Sequence, residues 1–180
     1  LKKTWDPDII FNPGKIIDTP PITESLRYLV GQPVPDPETI FNFSAEQGLL
    51  RAIEKCNGSA DCRKSELAGG SMCPSFMATR DEDKTTRGRA NILREFLTRS
   101  EKANRFDHEE IYRVMDLCLS CKACKSECPS NVDMAKFKAE FLQHYYDLHG
   151  IPLRSRLIAY LPRINQLGMV FRPVTNLLTA

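Results

Sequence analysis

The chain has 180 residues, and its 25 Lys and Arg against 23 Asp and Glu give a formal net charge of +2. This balance provides no field of one sign that would favour nucleic acid binding. Charged residues make up 27% of the chain and mean hydropathy is −0.35, as is typical of a soluble protein. No uninterrupted apolar run approaches the roughly 18–20 residues of a membrane-spanning helix, and nothing resembles a secretory signal peptide.

Residues 1–43 are rich in proline and turn signals, among them Asn12-Pro13-Gly14 and Pro20-Pro21. Proline removes a backbone hydrogen-bond donor and disrupts helices. The composition therefore predicts an irregular arm, with one short helix near 22–29.

Helical patterns occupy the sequence from residue 44 onward. Ser44-x-x-Gln47 and Asp107-x-x-Glu110 have the capping-box pattern, and Asp133 is placed to cap a helix that stops at Gly150. The predicted helices are 45–55, 86–100, 109–117, 134–149 and, between Pro152 and Pro162, 153–161. No stretch alternates apolar and polar residues for long enough to predict a strand. We therefore predict an all-α domain that follows an irregular, proline-rich N-terminal arm.

The most specific motif is Cys118-Leu-Ser-Cys121-Lys-Ala-Cys124-Lys-Ser-Glu-Cys128-Pro129, with the spacing C-x2-C-x2-C-x3-C-P of bacterial ferredoxins. Three thiolates at this spacing bind three corners of one [4Fe–4S] cluster, whereas the fourth cysteine of such a motif binds a second cluster. The motif therefore predicts one cluster that still lacks a ligand, and another cluster elsewhere in the sequence.

Three further cysteines lie upstream, and Cys73-Pro74 mirrors Cys128-Pro129. By ligand exchange, the first cluster, [4Fe–4S], is predicted to bind four thiolates, those of Cys73, Cys118, Cys121 and Cys124. The second cluster is left with three thiolates, those of Cys56, Cys62 and Cys128.

The second site has a serine where a middle cysteine would stand, because Cys56-Asn-Gly-Ser59-Ala-Asp-Cys62 reads C-x2-S-x2-C. Three thiolates favour a [3Fe–4S] cluster, which has one iron fewer. The alternative is a [4Fe–4S] cluster whose last iron is bound by Ser59, Asp61, water or a residue from elsewhere in the chain.

Other roles for the cysteines fit the spacing less well. Structural zinc sites usually use two separated ligand pairs rather than one overlapping run. Disulfides are disfavoured because the cysteine count of seven is odd and no signal peptide is evident. Buried inert thiols would not explain the motif, and His108, His144 and His149 do not stand at ligand spacing to any cysteine.

The segment from Cys56 to Cys128 resembles the α-helical ferredoxin module, in which helices carry paired cysteine motifs that exchange their Cys-Pro ligands. Its ligand pattern is similar to that of the iron–sulfur subunit of succinate dehydrogenase and fumarate reductase, where a replaced middle cysteine accompanies [3Fe–4S]. This chain has that replacement at Ser59, but ten residues separate Cys62 from Cys73, a longer spacing than in those subunits. The resemblance implies an α-helical dicluster ferredoxin-like fold.

A longer series of motifs covers most of the chain. These motifs are Cys62-Arg63-Lys64, Met72-Cys73-Pro74-Ser75-Phe76, Thr79-Arg80-Asp81-Glu82, Thr86-Arg87-Gly88-Arg89-Ala90-Asn91 and Asp116-Leu117-Cys118-Leu119-Ser120-Cys121-Lys122. Together they resemble the iron–sulfur region of large FAD-linked oxidoreductases of the D-lactate, glycolate and D-2-hydroxyglutarate dehydrogenase type. Asp6-Pro7 and Phe11-Asn12-Pro13-Gly14-Lys15-Ile16 are similar to the closing segment of the FAD-linked oxidase domain of those enzymes.

This resemblance implies four regions. Residues 1–20 would be the tail of an FAD-linked oxidase domain, 21–43 a linker, 44–150 the iron–sulfur domain, and 151–180 a helical connector toward a cysteine-rich C-terminal domain. It also implies an electron-transfer module of an FAD-dependent D-2-hydroxy-acid dehydrogenase. FAD upstream would take electrons from the substrate, and the clusters here would pass them singly to a quinone or another acceptor. No residue of this chain is then catalytic, and the expected location is cytoplasmic or peripheral at the inner membrane.

Two other functions are alternatives. One is an iron–sulfur subunit of the heterodisulfide-reductase or anaerobic glycerol-3-phosphate dehydrogenase type, and the other is a structural or sensory metal-binding module.

Several cations near the motifs have expected roles beside the clusters. Lys122 and Lys125 would raise the potential of the first cluster, and Arg87 and Arg89 would anchor the flavin domain or the cluster loop.

Overall fold

The computed structural model describes residues 1–15, 17–170, 172 and 176, and it divides the chain into two compact units, 1–34 and 35–180. In the first unit, helix α1 spans Lys2–Trp5 and turns make up most of the rest. The Asp6 carboxylate accepts hydrogen bonds from the backbone amides of Ile10 (2.8 Å) and Phe11 (3.0 Å), and it pairs with Lys2. The helix predicted near 22–29 is absent, since residues 22–29 form turns and bends.

The second unit is helical. Its α-helices are α2 (Leu49–Glu54), α3 (Pro74–Thr79), α4 (Thr86–Arg99), α5 (Glu109–Asp116), α6 (Ala123–Glu127), α7 (Met134–His149) and α8 (Leu153–Val170). Short 3₁₀ turns lie at Ser44–Glu46, Asp61–Arg63, Glu66–Ala68 and Glu82–Lys84. No strand occurs in the part of the chain that the structure describes, so the all-α prediction is confirmed.

Local capping explains where the two long core helices begin. Asp133 accepts a hydrogen bond from the Lys136 amide (3.1 Å) and α7 ends at Gly150, as predicted. Helix α4 begins at a cap that the sequence analysis missed, because the buried Thr85 hydroxyl accepts from the Gly88 amide (2.8 Å). Each cap satisfies an amide that has no partner within its own helix.

The two predicted capping boxes are wrong. Gln47 adopts a left-handed conformation (φ +61°), so α2 starts only after Gly48, and the Ser44 side chain caps nothing. Helix α5 occupies almost the predicted range, but Asp107 does not cap it. The Asp107 carboxylate instead meets His149 Nε2 at 2.7 Å and Lys102 Nζ at 3.2 Å.

The core is built around α4, which packs against α2, α5 and α7. Its buried side chains are mainly aliphatic and aromatic, and they include Leu49, Ile53, Leu93, Leu97, Ile111, Met115, Phe137 and Phe141. Cys62, Cys73, Cys124 and Cys128 belong to the same buried cluster. The predicted ligands are thus placed by the same packing that forms the core.

A buried carboxylate holds the segment that leads into the domain. Glu140 on α7 is fully buried and accepts hydrogen bonds from the amides of Ile40 (2.8 Å) and Phe41 (2.9 Å). Two residues on, the ring of Phe43 lies 3.8 Å from Lys136 Nζ. Residues 40–43 are therefore held by specific contacts to α7.

Helix α8 continues through Pro162, where the sequence analysis ended it at 161. A proline inside a helix leaves the carbonyl four residues earlier without its usual donor. Here that carbonyl belongs to Ile158, which is exposed, so water can satisfy it. Among the residues described, no helix is both long enough and apolar enough to cross a membrane.

Candidate metal centre

Four cysteines line one small cavity in the second unit. They are Cys73, Cys118, Cys121 and Cys124, the ligand set predicted for the first cluster, and we call this space the cysteine cavity. Its other lining residues include Ser75, Arg89, Ser120, Lys122 and Met134. Two segments far apart in sequence therefore contribute thiols to one cavity, in which Cys73 and Cys124 are buried, Cys118 is half-buried and Cys121 is exposed.

Unusual backbone conformations bring these thiols inward. Cys73 itself is left-handed (φ +61°) and precedes α3, whose first residue is Pro74. In the loop from Cys118 to Cys124, Ser120 (φ +54°) and Lys122 (φ +62°) are also left-handed. Such conformations are uncommon for residues other than glycine and are kept only where the surrounding structure enforces them. Two of them in a short loop turn the chain tightly around the cavity.

Hydrogen bonds fix the thiols of the buried members. Cys73 Sγ lies 3.1 Å from the Lys84 carbonyl oxygen and 3.8 Å from Arg89 Nη1. The Cys124 sulfur accepts from the amide of Met134, at the start of α7. Burial raises the pKa of the Cys124 thiol, with smaller contributions from the neighbouring Cys118 and Cys121.

This donor set fits an iron–sulfur cluster. Four thiols that line one cavity match in number and kind the ligands that a [4Fe–4S] cluster requires. Because burial raises the pKa of Cys124, iron must displace protons when it binds. Among the described residues, no three His, Cys, Asp or Glu side chains lie close enough together to hold one metal ion. The four thiols therefore line a common cavity without converging on one ion-sized site.

The three remaining cysteines are not among the residues that line the cysteine cavity. Cys56 follows α2 and is half-buried, whereas Cys62, in the 3₁₀ turn Asp61–Arg63, and Cys128, after α6, are buried. Burial raises the pKa of the Cys62 thiol, with smaller contributions from Cys73 and Cys56, so Cys62 lies within electrostatic reach of both of these cysteines. The assignment of Cys56, Cys62 and Cys128 to a second cluster stays a prediction.

The start of α4 is directed at Cys62. The amide of Arg87 donates to the Cys62 sulfur, whereas the Thr85 hydroxyl donates to the Glu82 carbonyl (2.7 Å). Amides in the first turn of a helix have no partner in that helix and favour negative charge. From the sequence, Arg87 is expected to anchor the flavin domain or the cluster loop; the structure adds a contact of its backbone amide with Cys62.

Ser59 is exposed, and its hydroxyl bonds the Asp61 carboxylate. Asp61 also pairs with Lys64 at 2.9 Å. These are the two side chains named as alternative ligands of the second cluster. In this structure they bond each other, so either would have to rotate to reach iron.

Two charged residues that the sequence analysis missed hold the ligand segments. Lys138 on α7 donates from Nζ to the carbonyl of Cys118 (2.6 Å) and to that of Asp116 (3.2 Å), and burial lowers its pKa. Lys125 pairs with Asp133 at 3.4 Å, and its expected effect on the potential of the first cluster stays a prediction.

The second missed residue, Glu127, joins the two Cys-Pro segments. Its carboxylate accepts from the Ser71 amide (2.8 Å), the Ser71 hydroxyl (2.7 Å) and the Met72 amide (3.1 Å). Gly70 makes room for this contact, since a Cβ there would lie 2.5 Å from Glu127 Oε2. Glu127 precedes Cys128 and Met72 precedes Cys73, so one carboxylate links the two segments that are predicted to exchange ligands.

Glu127 gives a testable dependence on pH. Its hydrogen bonds to Ser71, first through the side chain and then through the backbone, hold its pKa below the ordinary value of 4.5. A lowered pKa in the folded state adds stability above the unfolded-state pKa, and this stability is lost as pH falls through the folded-state pKa. We expect Glu127→Gln to be less stable than the parent at neutral pH, and the difference to shrink below about pH 4.5.

Urea unfolding of parent and Glu127→Gln proteins across this pH range measures the difference. Glu101→Gln changes an exposed carboxylate and serves as the control, so its stability should follow that of the parent. A constant difference between Glu127→Gln and parent down to pH 3 would contradict the assigned role.

Part of the chain matches a known protein family. Residues 55–133 match the family model of a 4Fe-4S dicluster domain. This segment is similar to 4Fe–4S dicluster domains. Its helical, ferredoxin-like character was predicted from the sequence and is confirmed by the helical structure and this match. The match also supports iron–sulfur clusters as the cofactors.

Curated relatives match the dicluster domain together with most of the remaining chain. A D-2-hydroxyglutarate dehydrogenase of Pseudomonas putida is 29% identical over 89% of this chain and 19% of its own length. Those of Escherichia coli (28% identical, 88% of this chain) and Haemophilus influenzae (26%, 89%) each match over 19% of their length. The chain is homologous to these oxidoreductases and spans about a fifth of their length. No solved structure matches it.

Proposed function

We propose that this chain is the electron-transfer part of a larger FAD-dependent D-2-hydroxy-acid dehydrogenase. The observation that carries the proposal is the cysteine cavity, where Cys73 meets the three cysteines of the ferredoxin motif. Homology to D-2-hydroxyglutarate dehydrogenases supports this class of substrate. The chain itself contributes no group that reacts with substrate.

The protein residues divide into ligands and groups that hold the ligands. Cys73, Cys118, Cys121 and Cys124 would bind the first cluster, and Cys56, Cys62 and Cys128 the second. When bound, such clusters accept and release single electrons. The amides of Arg87 and Met134 donate to the sulfurs of Cys62 and Cys124, and hydrogen bonds of this kind favour the more negative, reduced state.

The proposed partners lie outside the dicluster domain. Residues 1–20 would continue an FAD-linked oxidase domain that supplies electrons, and 151–180 would lead to a cysteine-rich domain. The final acceptor would be a quinone or another carrier, reached in the cytoplasm or at the inner face of the membrane. Exposed apolar side chains along α8, such as Leu153 and Leu167, are consistent with such a contact.

Iron and sulfide analysis with electron paramagnetic resonance tests the proposal on anaerobically purified protein. About seven irons per chain, with one signal in the oxidised state and another after reduction, would support a [4Fe–4S] and a [3Fe–4S] cluster. About eight irons without an oxidised-state signal would indicate two [4Fe–4S] clusters. Zinc in place of iron would overturn the proposed electron transfer.

Ser59→Cys tests the second ligand set. A thiol at the middle position of C-x2-S-x2-C would complete four ligands, so we expect total iron to rise from about seven to about eight per chain. The oxidised-state resonance of [3Fe–4S] should disappear. Ser59→Ala, which removes the hydroxyl without adding a ligand, is the matched control. An unchanged resonance in the Ser59→Cys protein would mean that position 59 lies outside the ligand set.

A further inference from the structure

The most deeply buried cation of the domain lies on the wall of the cysteine cavity. Arg89 on α4 is 2% exposed and lines the cavity together with the four predicted ligands. Burying a guanidinium is strongly unfavourable unless a negative partner compensates its charge. We therefore expect a negatively charged group close to the Arg89 guanidinium.

The contacts of Arg89 provide hydrogen bonds but no negative charge. Nε donates to the Val114 carbonyl (2.9 Å), Nη2 to the Ser75 hydroxyl (3.0 Å), and Nη1 lies 3.8 Å from Cys73 Sγ. Among the residues that the structure describes, no carboxylate forms an ion pair with Arg89. A guanidinium carries five N–H donors, and each of the two Nη atoms has a second one beyond these contacts.

The charge of Arg89 also acts on its surroundings. Lys138 holds the Cys118 carbonyl, and its pKa is lowered mainly by burial and to a smaller extent by the Arg89 charge. Two cations thus stand beside one set of thiols. Four thiolates around a [4Fe–4S] core carry net negative charge, which increases when the cluster is reduced.

We propose that Arg89 is the fixed counter-charge of the first cluster and that it raises the reduction potential of this cluster. The inference rests on the proposed function, because it requires a cluster in the cysteine cavity. Reduction adds one electron, supplied by the flavin domain or by a chemical reductant. No bond to Arg89 forms or breaks, and its protons stay on the guanidinium. Arg89 is a positioning and tuning residue that acts on the ligands and the cluster they hold.

Two substitutions separate the charge of Arg89 from its hydrogen bonds. Arg89→Gln keeps an amide donor but removes the charge, whereas Arg89→Lys keeps the charge on a more flexible side chain. We expect the equilibrium constant for reduction of the first cluster to fall at least tenfold in Arg89→Gln, a shift of about 59 mV for one electron. In Arg89→Lys most of the parent potential should be retained.

The measurement is a redox titration followed by electron paramagnetic resonance, on protein purified anaerobically with its clusters. Arg94→Gln is the matched control, because Arg94 lies on the same helix but pairs with Glu95 at 3.6 Å and is not in the cavity wall. Its first-cluster potential should equal that of the parent. The iron content of the parent tests the proposed function separately, so failure of one proposal is distinguishable from failure of the other.

Four outcomes bear on the role of Arg89. The potential order parent, Arg89→Lys, then a clearly lower Arg89→Gln supports the counter-charge. Loss of first-cluster iron in Arg89→Gln but not in Arg89→Lys also supports it, since the charge is then needed to retain the cluster. Equal potentials in folded Arg89→Gln and parent overturn the proposal, and so does loss of the fold in both variants, because the shape of arginine and not its charge would then be required.

Discussion

Cys124→Ser is expected to abolish the first cluster and lower iron content by about four atoms per chain. Cys124 is buried in α6, and its sulfur accepts a hydrogen bond from the first residue of α7. Helices α3, α4, α6 and α7 all border the cysteine cavity, and a metal site that joins several elements contributes directly to folding free energy. The variant should therefore also lose helical circular dichroism and unfold at a lower temperature.

Ser126→Ala is a suitable control for Cys124→Ser. Ser126 lies on the same helix, and its hydroxyl donates only to the Ala123 carbonyl (3.1 Å). Iron content and unfolding temperature should remain close to those of the parent. A Cys124→Ser protein with full iron and full helicity would show that the ligand assignment is wrong.

Gly88→Ala is the second change with a large expected effect. Alanine in a helix normally stabilises by about 1 kcal/mol relative to glycine. At Gly88, however, a Cβ would lie 2.3 Å from the Glu82 carbonyl oxygen and 2.9 Å from the Asp83 Cα. Backbone atoms cannot rotate away as a side chain can. We expect destabilisation of about 3 kcal/mol, which should lower the unfolding temperature by several degrees.

Thermal unfolding followed by circular dichroism measures this effect. Arg99→Ala places the same residue at an exposed position of α4 and should change the unfolding temperature little. The clash would also displace the Lys84 carbonyl from Cys73 Sγ, so the reduced-state resonance of the first cluster should change as well. A Gly88→Ala protein more stable than the parent would mean that the Glu82–Lys84 turn does not pack against α4.

Local signals predicted much of the helical structure. Helix α7 follows from Asp133, an apolar stripe and Gly150, all within one continuous segment. The Ser44 capping box failed because its pattern ignores tertiary contacts, and Phe43, the residue before it, is buried against α7. The extension of α8 through Pro162 was missed because the proline rule assumes that a lost hydrogen bond is costly. On an exposed helix, water replaces it.

The candidate site was predictable where covalent chemistry imposes spacing. Three thiolates that bind one cluster must recur at short intervals, so Cys118, Cys121 and Cys124 were recognisable at once. Glu127 and Lys138 have no such signature, because each binds backbone atoms of a segment distant in sequence. Any backbone amide or carbonyl can make those contacts, and only the folded chain identifies which one does.

The cysteine cavity has a further consequence for the chain as a polymer. Cys73 and the Cys118–Cys124 loop lie on either side of a long stretch that contains α3, α4 and α5. A cluster held by both sides acts as a cross-link that closes this stretch into a ring. For a disulfide, restricting the unfolded chain in this way is worth about 3–5 kcal/mol. Oxygen damage to the cluster would open the ring. Protein that has been exposed to air should therefore be less resistant to heat and proteolysis in this region than protein kept under anaerobic conditions.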